Sequence, residues 1–180
     1  MKERRPSFEI RTVEPGDLAS LRALYHEVID EDAGFRRAPG EYGDEGLESF
    51  AEATLGILDT PQNAYLVAVL VDHGSTSVIG FVRFRQNVSR SRTRHTGSLT
   101  IAVQREHRAR GVGQALLDAL LDRLQGGPIE RVSLQVFEDN PPARRFYERN
   151  GFEVSGILPK EIRMEEGRYR HLILMHRWIG

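Results

Sequence analysis

The segment that decides the fold runs from Gly97 to Leu117 and reads GSLTIAVQREHRARGVGQALL. Residues 97–103 are mostly apolar or β-branched, which predicts a strand. From residue 112 to residue 124 the apolar residues recur every three or four positions, which predicts a helix. Gly111 and Gly113 lie at the junction, where residues without a Cβ let the backbone approach a ligand closely.

This strand–glycine–helix junction is suited to an anionic ligand. The first turn of a helix has unpaired N–H groups and a partial positive charge. Arg108 and Arg110 add guanidinium donors that suit phosphate oxygens. A pyrophosphate is therefore a natural ligand, although the same pattern also occurs in plain packing turns. The third glycine of dinucleotide-binding folds and the Gly-Lys-Ser/Thr of phosphate-binding loops are both missing.

The elements predicted on either side of this unit belong to one domain. Further strands are expected at residues 8–12, 64–71, 78–85, 132–137 and 152–157, with a hairpin over 162–178 that closes around Glu166 and Gly167. Helices are expected after Asp17, over 47–58 and over 142–149, with a loop at 33–46. Gly80, inside a predicted strand, permits a bulge or a close backbone approach. We therefore predict a single α/β domain over residues 1–180, with helices on both faces of a mixed sheet.

Composition narrows the function classes. The 180 residues include no cysteine, which excludes disulfides, thiolate metal sites and a cysteine nucleophile. The charged start has no apolar core of a secretory signal, and no stretch approaches the roughly 20 apolar residues that span a bilayer. We expect a cytoplasmic protein with no membrane partner. The net charge of −1 gives no sign of nucleic-acid binding.

Charge is nevertheless unevenly distributed along the chain. Residues 83–110 are rich in arginine, whereas residues 26–52 are rich in Asp and Glu. One interpretation places an anionic ligand near the basic stretch and a cationic substrate near the acidic one. The alternative is two ordinary solvated faces.

Two blocks of sequence resemble the GNAT acetyltransferase superfamily. The block RARGVG at residues 108–113 is similar to its Q/R-x-x-G-x-G/A signature and lies between an apolar strand and a helix. The block NPPARRFYERNGF at residues 140–152 is similar to its N-x-x-A-x-x-x-Y-x-x-x-G-F segment. The tail around residues 167–175 resembles members that acetylate protein N-termini or small amines. The strong similarity covers about residues 97–156.

The resemblance implies a fold and a cofactor. The fold is a mixed, mostly antiparallel sheet of about seven strands with helices on both faces. The cosubstrate is acetyl-CoA, with its pyrophosphate on the turn, its pantetheine arm along the preceding strand and no metal. The implied contact residues are Ile101, Ala102, Val103, Arg108, Ala109, Arg110, Gly111, Val112, Gly113, Gln114, Asn140, Ala143 and Tyr147. For Asn140, a helix N-cap is an equally good interpretation and is compatible with ligand binding.

The resemblance also implies catalytic roles. Tyr147 is expected to give a proton to the departing thiolate, although it could instead be an aromatic of the core. Because Phe146 and Tyr147 face different directions on a helix, one is expected to pack and the other to be free. Relatives often use a glutamate on the strand before the turn as the base, but residues 95–103 contain no carboxylate. His95 is the candidate there, with a surface histidine as the alternative.

Other candidates for the base are Glu27, Glu31 or a chain of water molecules. Glu27 and Glu31 could also hold a cationic amine, or lie on a solvated face. His107 is expected to be exposed, and His171 and His176 to lie on the sheet surface, without metal-ligand spacing.

The resemblance implies an N-acetyltransferase, an enzyme that transfers the acetyl group of acetyl-CoA to a primary amine. The acceptor would be a small-molecule amine, such as a polyamine, an aminoglycoside or an amino-acid-like compound, or it would be a protein N-terminus or lysine. The chain could instead be a non-catalytic acyl-CoA sensor, or a nucleotide-binding module of another fold. We expect a monomer or homodimer.

Overall fold

A computed structural model describes residues 8–31, 50, 54–56, 63–72, 75–164 and 167–179. The strands are β1 (Phe8–Thr12), β2 (Ala64–Asp72), β3 (Ser75–Gln86), β4 (Thr96–Val103), β5 (Arg131–Phe137), β6 (Glu153–Arg163) and β7 (Tyr169–Trp178). The helices are α1 (Leu18–Asp30), α2 (Val112–Leu124) and α3 (Pro141–Arg149). The predicted loop at 33–46, most of the helix at 47–58 and residue Glu166 lie outside the described residues. None of the described helices is long and apolar enough to cross a membrane.

The seven strands form one sheet in the order β1-β2-β3-β4-β5-β7-β6. Every neighbouring pair is antiparallel except β4 and β5, which are parallel. A parallel pair requires a crossover connection, and α2 provides it. The predicted mixed, mostly antiparallel sheet is confirmed. β6 extends beyond its predicted end at residue 157 through Pro159, because an edge strand tolerates a missing N–H.

Both faces of the sheet are covered by helices, as predicted. On one face, Leu116, Leu117 and Leu120 of α2 are fully buried against the sheet, and α3 joins the same cluster through Tyr147. On the other face α1 packs its apolar side against β2 and β3. The buried residues of α1 are Leu18, Leu21, Leu24, Tyr25, Val28 and Ile29.

Gly80 lies beside a β-bulge, as its position in the predicted strand suggested. The β2–β3 register passes from Ala68↔Gly80 to Val69↔Val78, so Ile79 has no partner on β2. The Ile79 carbonyl instead accepts the backbone N–H of Gln104 at 2.8 Å. A Cβ at Gly80 would lie 3.0 Å from the Ala102 carbonyl oxygen and crowd α2. The bulge thus anchors the loop that follows β4.

The parallel pairing of β4 and β5 is short. It joins Thr96–Ser98 to Arg131–Ser133 and then stops, whereas β4 continues to pair with β3 as far as Val103. The Ser133 hydroxyl donates to the Gly97 carbonyl at 3.0 Å where the pairing ends. A Cβ at Gly97 would lie 2.2 Å from the Phe84 ring, so only glycine fits there without a shift. Beyond Ser98 the two strands diverge and open a wedge in the sheet.

Candidate active site

Two cavities meet at this wedge. The strand cavity, of about 840 Å³, is lined mainly by residues of β3, β4, β5 and β7. The loop cavity, of about 660 Å³, is lined by the end of β4, by residues of the 108–114 turn and by α3. Both are lined by Ile101, Asn140, Ala143 and Tyr147. These four residues therefore mark the passage between the two cavities.

The turn beside the loop cavity presents backbone N–H groups. Ala109 and Gly111 have φ values of 58° and 89°, in the left-handed region. The first bond within α2 runs from the Ala115 N–H to the Gly111 carbonyl at 3.0 Å. The N–H groups of residues 112–114 precede that bond and have no partner within the helix. A left-handed alanine costs about 1 kcal/mol or more, and such strain is typical of functional turns.

Helix α1 holds the loop between β4 and α2, which includes this turn, through two carboxylates. Glu27 accepts hydrogen bonds from the Gln104 side chain at 3.0 Å and from the Arg105 backbone N–H at 3.2 Å. Glu31 accepts from Arg108 Nη2 at 2.6 Å, and Arg108 Nε donates to the Val103 carbonyl at 2.9 Å. Neither glutamate lines either cavity. Both residues therefore hold the loop between β4 and α2, and neither lines a cavity that could contain the substrate amine they were predicted to bind.

The block at residues 140–152, the second that resembles the GNAT superfamily, forms helix α3 with a cap at each end. Asn140 Oδ1 accepts the Ala143 N–H at 3.2 Å, which confirms the predicted N-cap. At the other end Gly151 has a φ of 76°, and its N–H donates to the Glu148 carbonyl at 3.1 Å. The Phe152 N–H donates to the Tyr147 carbonyl at 3.0 Å, which completes a Schellman motif. The caps determine where α3 begins and ends, and so where Tyr147 lies.

Tyr147 is 7% exposed and lies between two other rings. The centroids of Phe146 and Phe152 are 5.3 and 5.7 Å from that of Tyr147, both edge to face. The expectation that one of Phe146 and Tyr147 would be free is wrong, since both pack against the core. Burial raises the pKa of Tyr147, so its hydroxyl stays protonated. No described residue hydrogen-bonds to that hydroxyl, which remains available as a donor at the passage.

Most of the residues expected to contact acetyl-CoA come together at one place. Eleven of the thirteen line the loop cavity. Arg110 is exposed outside it, and Val112 is 2% exposed within the core of α2. Only some residues of a helix's first turn face a ligand, so a prediction that takes every residue of the motif includes some that do not line the cavity.

The histidines differ from expectation. His95 lines neither cavity; it lies immediately before β4 with its ring centroid 6.5 Å from that of Trp178. Its proposed role as base therefore has no geometric support. His107 was predicted to be solvent-exposed, but it is buried, with 8% of its surface exposed. His176 lines the strand cavity, and its Nδ1 is buried without a hydrogen-bond partner.

The strand cavity contains polar residues that sequence reasoning missed as a group. They come from four adjacent strands and include Arg83, Arg85, Ser98, Thr100, Arg131, Ser133, Gln135 and His176. Part of this group could have been predicted from the alternation in residues 82–86, VRFRQ, because alternation in a strand places Arg83 and Arg85 on the same face of the sheet. Among the described residues, no group of three or more His, Asp or Glu could hold a metal ion.

The model of the acetyltransferase (GNAT) family matches residues 22–152. The chain belongs to the GNAT family of acetyltransferases. This GNAT protein is 25% identical over 175 residues to phosphinothricin N-acetyltransferase from Alcaligenes faecalis, covering 96% of the chain and 83% of that protein. It is 32% identical over 89 residues to an L-amino acid N-acetyltransferase from Escherichia coli, covering 49% of the chain and 54% of that protein. The chain thus matches only about half of the second relative's length.

A third relative and two solved structures extend the comparison. N-alpha-acetyltransferase 60 from Drosophila melanogaster is 36% identical over 64 residues, which are 34% of the chain and 23% of that protein. A GNAT-family acetyltransferase from Streptococcus pneumoniae superposes with a TM-score of 0.84 at 25% identity, over 96% of this chain and 99% of that one. A phosphinothricin acetyltransferase from Sinorhizobium meliloti, solved with acetyl-CoA, has a TM-score of 0.80 at 22% identity over 96% and 89% of the two chains. The GNAT fold is therefore shared along nearly the whole chain, and the family is one of acyltransferase enzymes.

Proposed function

We propose that this GNAT protein transfers the acetyl group of acetyl-CoA to a primary amine of a small molecule. The observation that carries the proposal is the meeting of two cavities at Tyr147, one bounded by the glycine turn and the other by polar strand residues. A two-substrate transfer requires such an arrangement, because donor and acceptor must enter separately and meet at one point.

The loop cavity is the proposed donor site. The pyrophosphate would accept hydrogen bonds from the N–H groups at the start of α2, which combine a partial positive charge with unpaired donors. The pantetheine arm would pair with the edge of β4 that becomes free after Ser98. One N–H of that edge would face the thioester oxygen as negative charge develops on it. The complex of a solved relative with acetyl-CoA supports this choice of donor.

The chemistry then needs one proton donor and one proton acceptor. The amine nitrogen attacks the thioester carbon, a C–N bond forms, and the C–S bond of the tetrahedral intermediate breaks. The thiolate leaves with a proton from Tyr147, which burial keeps in its protonated form. The phenolate is reprotonated from solvent before the next turnover.

His176 is the proposed acceptor of the amine proton. It is the imidazole that lines the strand cavity, and the described residues around that cavity include no carboxylate. His95 lies away from both cavities, and Glu27 and Glu31 are occupied on the turn. Among the described residues, these placements favour His176, directly or through water, as the side chain that takes the proton.

A small acceptor suits the size of the strand cavity. A volume of about 840 Å³ is within the range that holds a small organic molecule. Two relatives are named for an amino acid and for phosphinothricin, whereas the match to an N-alpha-acetyltransferase covers a third of the chain. Small amines are therefore the first acceptors to test, with N-terminal peptides second.

The test is release of free CoA thiol from acetyl-CoA in the presence of amine and peptide panels. A calorimetric titration with acetyl-CoA, desulfo-CoA and NAD accompanies it. We expect one-site binding of both CoA ligands, no binding of NAD, and thiol release that depends on a small amine. CoA binding without turnover of any amine or peptide would indicate a non-catalytic sensor, and an absence of CoA binding would contradict the proposal altogether.

A further inference from the structure

Three arginines lie together in the strand cavity: Arg83 and Arg85 of β3, and Arg131 of β5. Arg85 pairs with Ser98 of β4, and Ser98 pairs in turn with Ser133 of β5. Arg131 precedes Ser133 by two residues and therefore lies on the same face of the sheet. Strands are about 5 Å apart, so guanidinium groups from β3 and β5 reach the same space over β4.

No carboxylate of the described chain pairs with these three arginines, in contrast to several arginines elsewhere. Within the described residues, the side chains of Arg83, which is half-buried, and of Arg85, which is exposed, form no hydrogen bond or ion pair. Arg131 Nε is buried without a hydrogen-bond partner. The residues around the strand cavity that the structure describes include no Asp or Glu. By contrast, four arginines elsewhere lie 2.6–2.8 Å from a carboxylate oxygen, namely Arg11, Arg108, Arg144 and Arg170.

An unmatched cluster of this kind favours an anion. The buried Arg131 Nε is unfavourable without a partner, and three guanidinium groups that line one cavity repel one another unless negative charge is supplied. The Arg131 guanidinium also lies 5.8 Å from the centre of the Trp178 ring, within cation–π distance. Guanidinium groups present paired N–H donors that can bind two oxygens of a carboxylate or of a phosphorus oxyacid.

We propose that the acceptor of this protein carries an oxyanion, a carboxylate or a phosphorus oxyacid, close to its amine, and that Arg83, Arg85 and Arg131 bind it. The inference rests on the proposed function and names the substrate class: amino acids and amino-acid-like acids. It reverses the expectation of a cationic acceptor held by Glu27 and Glu31. Polyamines and aminoglycosides are disfavoured, because their additional ammonium groups would meet three guanidinium groups.

The arginines also have a positioning role. They line the same cavity as Tyr147 and His176. An oxyanion held over β4 therefore places the amine of the same molecule in the space that contains the proposed acid and base. Orientation of this kind lowers the barrier by restricting the reactants before the reaction starts.

The first experiment compares three matched acceptors in the thiol-release assay. They are an α-amino acid, its carboxamide and its aminophosphonic analogue, repeated over several side chains. We expect kcat/KM for the carboxylate or the phosphonate to exceed that for the carboxamide by about tenfold or more, as expected for a charged hydrogen bond. An α-amino group beside an amide has a pKa of only about 8, so the carboxamide is intrinsically the more reactive amine at neutral pH. A higher kcat/KM for the acid would therefore reflect binding of its oxyanion by the protein and not the intrinsic reactivity of its amine.

The second experiment uses arginine variants. Arg83→Gln and Arg85→Gln should each lower kcat/KM for the acid about tenfold, mainly through KM, and reduce its advantage over the carboxamide. Arg83→Lys should retain part of the activity. Arg92→Gln is the matched control, since Arg92 is exposed and lines neither cavity. Unchanged affinity for desulfo-CoA shows that each variant is folded.

The outcomes separate the two proposals. If no amine of any charge releases thiol, the proposed function fails and the anionic acceptor with it. If carboxamides, polyamines or peptides react as fast as the acids, and Arg83→Gln changes neither, the protein is an acetyltransferase but the anionic acceptor is wrong. The more active of the carboxylate and the phosphonate identifies the oxyanion.

Discussion

Tyr147 and Phe152 contact each other twice. The Phe152 backbone N–H donates to the Tyr147 carbonyl at 3.0 Å, and the two rings meet edge to face with centroids 5.7 Å apart. The backbone contact terminates α3, and the ring contact holds the phenol at the passage between the cavities. The Tyr and Gly-Phe positions of the family segment thus work as one unit.

Removal of the Tyr147 hydroxyl tests the proton donor. We expect Tyr147→Phe to lower kcat about 10²-fold or more, because the thiolate would leave without a positioned acid. The KM for acetyl-CoA should change little, since the ring and its packing remain. Steady-state kinetics measures both values, and Tyr169→Phe, at an exposed tyrosine, is the control. An unchanged kcat would remove Tyr147 from the mechanism.

The pH dependence of a His176→Gln variant tests the proposed base. At neutral pH we expect kcat/KM to fall about 10²-fold, because the ammonium form of the acceptor loses its proton acceptor. The deficit should shrink as the pH rises, since the amine then deprotonates by itself. His171→Gln, on the same strand but outside both cavities, should behave like the native protein. A deficit that stays constant with pH would indicate a structural role instead.

Glu27 distinguishes two interpretations of the acidic helix face. If it holds the turn through Gln104 and Arg105, Glu27→Ala should weaken binding of desulfo-CoA about three- to tenfold, as the loss of one or two hydrogen bonds predicts. If it held the acceptor, the KM of the amine would rise instead. Calorimetry and steady-state kinetics separate these outcomes. Asp30→Ala, exposed on the same helix, is the control.

Asp17 offers a test of stability that is independent of catalysis. Its carboxylate accepts bonds from Arg11 Nη1 at 2.6 Å and Nη2 at 2.8 Å, and from the Glu14 N–H at 2.8 Å. Burial by itself would raise the pKa of Asp17, but the bonds from Arg11 and Glu14 and the Arg11 charge together lower it. The ion pair therefore stabilises the fold above the ordinary pKa of about 3.9 and loses that contribution as the pH falls below it.

We accordingly expect Asp17→Asn to lower the free energy of unfolding by about 1–3 kcal/mol at pH 7. The difference from the native protein should diminish below about pH 4. Urea unfolding at several pH values measures it, with Glu9→Gln, at an exposed position of β1, as the control. An equal difference at pH 7 and pH 3 would contradict this account.

Much of the fold was predictable because its signals are local. The apolar period of α2 predicted its bounds of Val112–Leu124, and the alternation and turn residues predicted the order of the strands. Asn140 could be predicted as an N-cap because caps depend on neighbouring residues. The glycine turn at residues 108–114 could also be predicted, because its glycines and the helix that follows are neighbours in the sequence.

The chemistry of the strand cavity was harder to predict, because it depends on contacts between distant residues. Glu27 bonds to Gln104 across 77 positions, and no local pattern marks that pair. His176 lines the cavity because the β4–β5 pairing stops at Ser98, a fact of tertiary structure. The alternation of Arg83 and Arg85 was visible, but the strand that completes their cluster was not.

The short parallel pairing of β4 and β5, over three residues of each strand, also affects the stability of the folded protein. The opening proposed to admit the donor leaves two antiparallel half-sheets joined by few hydrogen bonds. A pantetheine arm lying along β4 would act as a temporary extra strand, and ligand at a hundred times its Kd adds about 2.7 kcal/mol to the native state. On the proposed function, the lifetime of the folded chain would then be linked to the supply of acetyl-CoA, and the donor would contribute to the stability of the sheet as well as to the reaction.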